Sequence, residues 1–250
     1  MIRLFVVGIS LLLTGSASAQ EKQKDLTIRW FGQSFFQVIS TAGTKIVFDP
    51  HAMTEYDRPT CVADIVLMSH EHNDHNRAEI LTNSEKAKLF HGITIKGKNQ
   101  TFTKIDEKVG DVKIRTVPSF HDEEGGLKRG KNAIFCVEVD GLKIVHLGDL
   151  GHVLEEKEVK EIGPVDILMI PVGGVFTING EKAKEVVQQL KPRLYILPMH
   201  YGTPVFDIVQ DPKEFLEGQK NVRELKDSNT LLVPLNLKVD APSIVLMSWK

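Results

Sequence analysis

Hydrophobic and polar positions along the chain fall into short runs of strand length more often than into helical periods. Segments 26–30 and 34–40 alternate, with Gly32-Gln33 between them, and 45–48 follows a hairpin turn at Thr41-Ala42-Gly43-Thr44. Asp49-Pro50 stops this third strand, and residues 51–63 read as an aperiodic loop. Residues 65–68, Ile-Val-Leu-Met, are wholly apolar, as in a buried central strand. Residues 77–81 suit a short helix, and 88–95 and 102–105 carry less regular strand patterns. In 112–120, Val112, Ile114, Thr116 and Pro118 alternate with Lys113, Arg115, Val117 and Ser119. Asp140-Gly141, between strands at 132–139 and 142–147, is a two-residue hairpin signal. Next come a helix at 154–162, broken by Gly163-Pro164, a buried strand at 165–172 and an amphipathic helix at 183–190. A strand at 194–197, a helix near 213–216 and strands at 231–234 and 243–247 finish the chain.

One pattern occurs twice. Gly43-Thr44-Lys45-Ile46-Val47-Phe48 leads to Asp64-Ile65-Val66-Leu67-Met68, and Gly141-Leu142-Lys143-Ile144-Val145-His146 leads to Asp166-Ile167-Leu168-Met169-Ile170. A hairpin followed by a buried strand, repeated about a hundred residues apart, predicts two similar sheets packed face to face with helices outside. No linker separates the halves, so residues 20–250 read as one domain.

Composition changes this picture little: 42% hydrophobic and 26% charged over 250 residues is ordinary globular usage. Such a chain buries a sizeable core without a disulfide framework. The formal net charge is −2 and no basic stripe is present, so no nucleic-acid partner is expected. Residues 1–19 stand apart. Arg3 precedes an apolar run from Leu4 to Leu13, and Ala17-Ser18-Ala19 reads as a cleavage site before Gln20. The run is too short to span a bilayer comfortably. The expectation is a bacterial signal peptide cleaved after Ala19, a periplasmic or secreted protein, and no stable membrane anchor once it is removed. Cys61 and Cys136 are expected to be free thiols.

The chemistry centres on Ser69-His70-Glu71-His72-Asn73-Asp74-His75, directly after the apolar run. In extended chain, side chains at i and i+2 share a side, so His70 and His72 can bind one ion together. Asp74 and His75 are adjacent and face a second ion only if the backbone bends there into a helical turn. Three further strands end in metal-type residues: His121 after 112–120, Asp149 after 142–147, and His200 after 194–197. Residues at strand ends converge on one edge of a sheet.

With these residues in place the sequence resembles the metallo-β-lactamase-fold hydrolases. The motifs stand as Asp49, His70-Glu71-His72-Asn73-Asp74-His75, His121, Asp149 and His200, in that family's order. Trp30-Phe31-Gly32, Leu147-Gly148-Asp149-Leu150-Gly151-His152, Pro171-Val172-Gly173-Gly174 and Pro198-Met199-His200-Tyr201-Gly202-Thr203 resemble the branch containing the ascorbate-6-phosphate lactonases. That branch usually carries a histidine where this chain has Gln33. The resemblance implies a four-layer αββα sandwich with internal pseudo-symmetry, in the α/β class. It also implies two divalent ions, zinc first and manganese or iron next. His70, His72 and His121 would hold one ion and Asp74, His75 and His200 the other, with Asp149 bridging and Asp49 orienting the ligand loop. Two ions ~3.5–4 Å apart can share a hydroxide that attacks the substrate, and Asp74 would orient or deprotonate this nucleophile. His72 stands where di-iron oxygen-using members carry a carboxylate, which favours hydrolysis.

Other residues carry two readings each. His152 either protonates a leaving group or hydrogen-bonds behind the ligands. Tyr201 either contacts substrate or packs, and Asn132 and Lys131 either meet an anion or serve the hairpin. Gly173-Gly174 either opens backbone N–H groups to substrate or makes a tight turn, and 175–178 lies near the pocket by the resemblance. His146 reads as a core residue, His51 as closer to the site, and His91 has no partner spacing. The function read from the sequence is an exported hydrolase of a small-molecule ester, lactone or phosphoester. The alternatives are a phosphodiesterase or nuclease of the same fold, or a non-catalytic metal-binding or sensing protein.

Overall fold

The computed structural model describes residues 25–57, 59–97 and 99–250, and the expected signal segment 1–19 lies outside the described residues. The repeated pattern is repeated in space, down to single hydrogen bonds. In the first copy, β2 (Phe36–Ile39) and β3 (Lys45–Phe48) are antiparallel and β3 runs parallel to β4 (Ile65–Met68). In the second, β10 (Lys131–Val139) and β11 (Leu142–His146) are antiparallel and β11 runs parallel to β12 (Ile167–Pro171). The Asp64 carboxylate accepts the Lys45 N–H at 2.8 Å, and that of Asp166 accepts the Lys143 N–H at 2.8 Å. Each aspartate sets the register at which a parallel strand enters its sheet.

Around these units, β1 (Asp25–Trp30), β5 (Lys88–His91) and β15 (Thr230–Pro234) complete a six-stranded sheet in the order β15-β1-β2-β3-β4-β5. The other sheet has eight strands in the order β14-β16-β13-β12-β11-β10-β9-β8. It adds β8 (Asp106–Val109), β9 (Val112–Phe120), β13 (Tyr195–Met199), β14 (Val222–Leu225) and β16 (Ser243–Met247). A separate ribbon pairs β6 (Ile93–Lys96) with β7 (Asn99–Phe102). The strand expected over 88–95 is therefore two, broken at Gly92, where the chain leaves the first sheet.

The all-apolar run of β4 is explained by burial on both faces. Ile65 and Leu67 join Ile46 and Phe48 in a core shared with the second sheet. Val66, Met68 and Val47 face outward into a smaller cluster with Phe31, Phe35, Cys61, Ala78 and Leu81. Three helices, α1 (Glu156–Ile162), α2 (Gly180–Leu190) and α3 (Lys213–Leu216), belong to the second half. Ala183, Val186 and Leu190 form the buried stripe of α2, and Asn179 caps it by accepting the Lys182 N–H. Over the first sheet the expected helix at 77–81 is a 3-10 turn, Ala78–Ile80, followed by another at Ser84–Lys86. Asn83 pins this short connection by donating to Ala63 O and accepting from Ala63 N.

The sheets are tied at one end by their hairpins: the Thr41 N–H and hydroxyl donate to the two Asp140 oxygens at 2.7 and 2.6 Å. Asp140 (φ 53°) and Gly141 (φ 75°) both take the left-handed conformation of a type I′ turn. The opposite end, where β3, β4, β9, β11 and β13 finish, carries the histidines and aspartates. Both cysteines are free and buried, in separate clusters. Burial pushes the thiols up, Cys61 to about 12 and Cys136 to about 11. No helix among the described residues is long and apolar enough to cross a membrane.

Candidate metal centre

Five loops leave the sandwich at that end and bring five imidazoles and three carboxylates together. His70, His72 and His121 form one group of converging donor atoms, and Asp74, His75, Asp149 and His200 another. A third group joins Asp49, His70 and His75. Asp149 lies between the first two groups: its Oδ2 is 3.2 Å from His121 Nε2, 3.2 Å from His75 Nε2 and 3.3 Å from His200 Nε2. Donors about 2.1 Å from a shared tetrahedral ion lie about 3.4 Å apart, so this spacing suits a cation.

Asp49, fully buried at the end of β3, sets the tautomers. Its Oδ1 accepts the Ser69 N–H at 2.7 Å. Its Oδ2 accepts the Ser69 hydroxyl at 2.6 Å and the His75 Nδ1–H at 2.8 Å. With its proton given to Asp49, the Ser69 oxygen accepts His70 Nδ1–H at 2.9 Å. Both His70 and His75 thereby turn Nε2 into the site. The first lies 3.0 Å from His72 Nδ1 and the second 3.2 Å from Asp149 Oδ2. Buried imidazole nitrogens that converge on a carboxylate, with their other nitrogens held by Asp49 and Ser69, form a donor set that fits divalent metal.

The electrostatics agree. Burial opposes ionisation of Asp149, but the imidazoles of His200, His75 and His121 hold its carboxyl well below the usual carboxylate range. Burial alone would lower His75; Asp149, Asp74 and Asp49 instead raise it well above the ordinary imidazole value. His70 is driven well below that value by burial and by His75. Asp74 is half-buried, with 37% of its side chain accessible. Burial works against its charge, yet His75 brings it down to about 2.

Backbone geometry supports these positions. Asp49 (φ 42°), Gln33 (φ 46°) and His200 (φ 49°) are all left-handed residues other than glycine, a costly conformation concentrated at one site. Gln33 O accepts the His200 N–H, anchoring that turn. Two glycines permit close approaches: a Cβ at Gly151 would lie 2.2 Å from the His121 backbone, and one at Gly173 would lie 2.2 Å from His200 O. The Gly173 N–H donates to His200 O and is not open to a substrate.

Of the two readings of His152, the geometry supports hydrogen bonding behind the ligands: its Nε2 accepts the Phe120 N–H at 3.1 Å and its Nδ1 donates to Val153 O at 2.9 Å. These bonds brace the segment entering His121. Tyr201 stacks on Trp30 with centroids 5.2 Å apart, a packing role. Asn132 is buried, donates to Ser119 Oγ and Leu147 O, and accepts the Asp149 N–H, so it positions Asp149. Lys131 lies over the Phe102 ring. His146 donates from Nε2 to Ser34 O and accepts the Gly148 N–H, bracing the same loop. His51 sits edge-on to Phe35, and His91 pairs with Glu71 at 2.7 Å. Sequence reading missed Ser34, whose hydroxyl points at Asp149 Oδ1 from 3.4 Å. Only its place beside the Gly32-Gln33 turn hinted at a role.

Two sheets packed face to face, with a histidine and aspartate cluster at the strand ends of one edge, define the metallo-β-lactamase fold. Residues 27–200 match the β-lactamase superfamily domain. A UPF0173 metal-dependent hydrolase of Thermococcus onnurineus is 32% identical over 77% of this chain and 92% of its own length. One from Pyrococcus furiosus is 34% identical over 63% of this chain and 75% of its own. A Thermotoga maritima structure, described as a zinc-dependent hydrolase of the metallo-β-lactamase superfamily, superposes with a TM-score of 0.67 at 33% identity. It covers 89% of this chain and 98% of that one. The chain belongs to the β-lactamase superfamily, as one of its metal-dependent hydrolases with the metallo-β-lactamase fold.

Proposed function

We propose that the chain is an exported hydrolase that holds two divalent ions and cleaves a small-molecule ester, lactone or phosphoester. The observation that carries this reading is the position of Asp149 Oδ2, about equally far from three imidazole nitrogens of two donor groups. His70, His72 and His121 would hold one ion, and Asp74, His75 and His200 the other, with Asp149 shared. The imidazole-dominated donor set favours zinc. When bound, such ions lower the pKa of water into the neutral range and polarise the oxygen of the scissile bond.

The chain's own contribution begins with Asp74. Its partly exposed carboxylate stays ionised, being held at about 2. A group that acidic is a poor proton acceptor, so its role is to orient an attacking water by accepting a hydrogen bond from it. Ser69 and Asp49 keep His70 and His75 in the right tautomers, while Asn132 and His146 fix the loop that carries Asp149.

Elemental analysis should find two metal ions per chain. An ester, lactone and phosphodiester panel at equal metal loading should show turnover that falls at least about 100-fold in Asp74→Ala and His70→Ala. Wild-type rates in either variant would overturn the mechanism. Export rests on the basic, apolar and small-residue order of residues 1–19. Mass analysis of the extracytoplasmic protein should give a chain starting at Gln20; a chain retained in the cytoplasm with Met1 would reject it.

A further inference from the structure

A cavity of about 180 Å³ opens beside His121, between the loop carrying Asp122, Lys128 and Arg129 and a second segment with Val175, Phe176 and Thr177. The first loop is rigidly built. The buried Asp122 carboxylate accepts four backbone N–H groups, from Glu124, Gly126, Lys128 and Arg129, at 2.7 to 2.9 Å. The other charges lining the cavity are paired off: Lys182 with Glu123, and Lys128 with Glu124. Arg129 differs, because among the described residues it has no carboxylate partner. Its Nη2 donates to Val175 O at 2.9 Å, and its guanidinium lies 5.6 Å from the Phe176 ring centroid. Val175 is a β-branched residue at φ 60°, an outlying conformation that presents its carbonyl to this guanidinium. A carbonyl and a ring orient a guanidinium without neutralising it, and most of its five donors stay free.

We infer that Arg129 recognises an oxyanion, carboxylate or phosphate, on the part of the substrate that is not cleaved. His121 lines the same cavity, so a molecule whose scissile group sits at the histidine cluster extends its other end toward Arg129. The inference rests on the reading of that cluster as the hydrolytic site. It narrows the substrate class to anionic esters, lactones or phosphoesters.

The test compares wild type with Arg129→Gln and Arg129→Lys, all metal-loaded, with metal content and circular dichroism matched. Calorimetry with succinate and with methylphosphonate reads binding without turnover, and the two probes separate carboxylate from phosphate recognition. Affinity for at least one should fall roughly tenfold in Arg129→Gln and less in Arg129→Lys, which keeps the charge but loses the planar fork. Unchanged affinity for both overturns the proposal, whatever the kinetics. In parallel, kcat/KM is measured for 4-nitrophenyl butyrate and for its carboxylate- and phosphonate-bearing analogues. The preference for the charged ester should shrink in Arg129→Gln through KM. If wild type turns over none of the three, the hydrolase reading fails, while the binding comparison still decides the role of Arg129.

Discussion

Asp49 is buried, touches no solvent and governs two ligand imidazoles at once, one directly and one through Ser69. Replacing it by Asn keeps the shape but offers an N–H where a charged acceptor stood. Asp49→Asn should weaken metal binding about 10- to 100-fold, measured by competition with a chromogenic chelator; wild-type affinity would show that the tautomers are set by something else. His51 gives a pH prediction. Burial and the neighbouring His75 lower it to about 4. Its folded value lies below the unfolded 6.5, so its contribution to stability is present above pH 6.5 and lost as pH falls through 4. The difference amounts to about 3 kcal/mol. Denaturant titrations of wild type and His51→Gln should therefore differ in slope between pH 6.5 and 4, the variant being flatter. Parallel slopes would place the acid sensitivity in other histidines. At this scale the sequence displayed the ligands themselves, since three imidazoles and a carboxylate within one turn of chain have few other uses. It hid the groups that hold them. Ser34 lies 115 residues from Asp149, and nothing local marks the contact. His152 shows the converse: closeness in sequence to Asp149 left its two readings open, because spacing alone does not say which groups its ring meets.

Among elements, legibility followed burial. β3, β4, β9 and β16 lie where the pattern put them, because a strand buried on one or both faces must write its period into the sequence. β14, Val222–Leu225, was missed. It is an edge strand paired only with β16, and its exposed side chains carry no constraint. β5 to β8 are similarly exposed: the expected strand 88–95 is split into β5 and β6, that at 102–105 meets β7 only at Phe102, and β8 was missed. The β10–β11 turn does two jobs: it reverses the chain, and its Asp140 accepts both Thr41 donors of the opposite sheet. Asp140→Ala removes two hydrogen bonds and puts alanine at φ 53°. It should destabilise the protein by about 2 kcal/mol, seen as a lower urea midpoint with metal content unchanged. Asp140→Asn, which tolerates that φ and keeps one acceptor, should recover part of the loss. No loss in the alanine variant would mean that the hairpins do not tie the sheets.

For the whole molecule, the decisive feature is how the donors are divided. His70, His72, Asp74 and His75 come from the first sheet, and His121, Asp149 and His200 from the second, so the group His70-His72-His121 and the group Asp74-His75-Asp149-His200 each draw on both. Any ion bound there links the halves at the end opposite the Thr41–Asp140 bonds. Without it, crowded imidazoles sit at the seam, with the His75 pKa raised by the carboxylates around it. Binding to the folded state alone stabilises by about 4 kcal/mol at a thousandfold excess over Kd. For a protein of this size each kcal/mol moves Tm by roughly 2 to 4 °C, so stripping the metal should lower Tm on the order of ten degrees. Calorimetry before and after chelation, with metal content verified at each stage, measures this. Asp49→Asn, binding more weakly, should show a smaller drop at the same free metal. The proton count has a sign as well: the carboxylates of Asp149, Asp74 and Asp49 raise His75 well above the ordinary imidazole value, so a metal ion there competes with a proton. Metal affinity should therefore rise with pH through the neutral range, with proton release visible as a buffer-dependent binding enthalpy. An affinity independent of both pH and buffer would mean that His75 is not among the ligands.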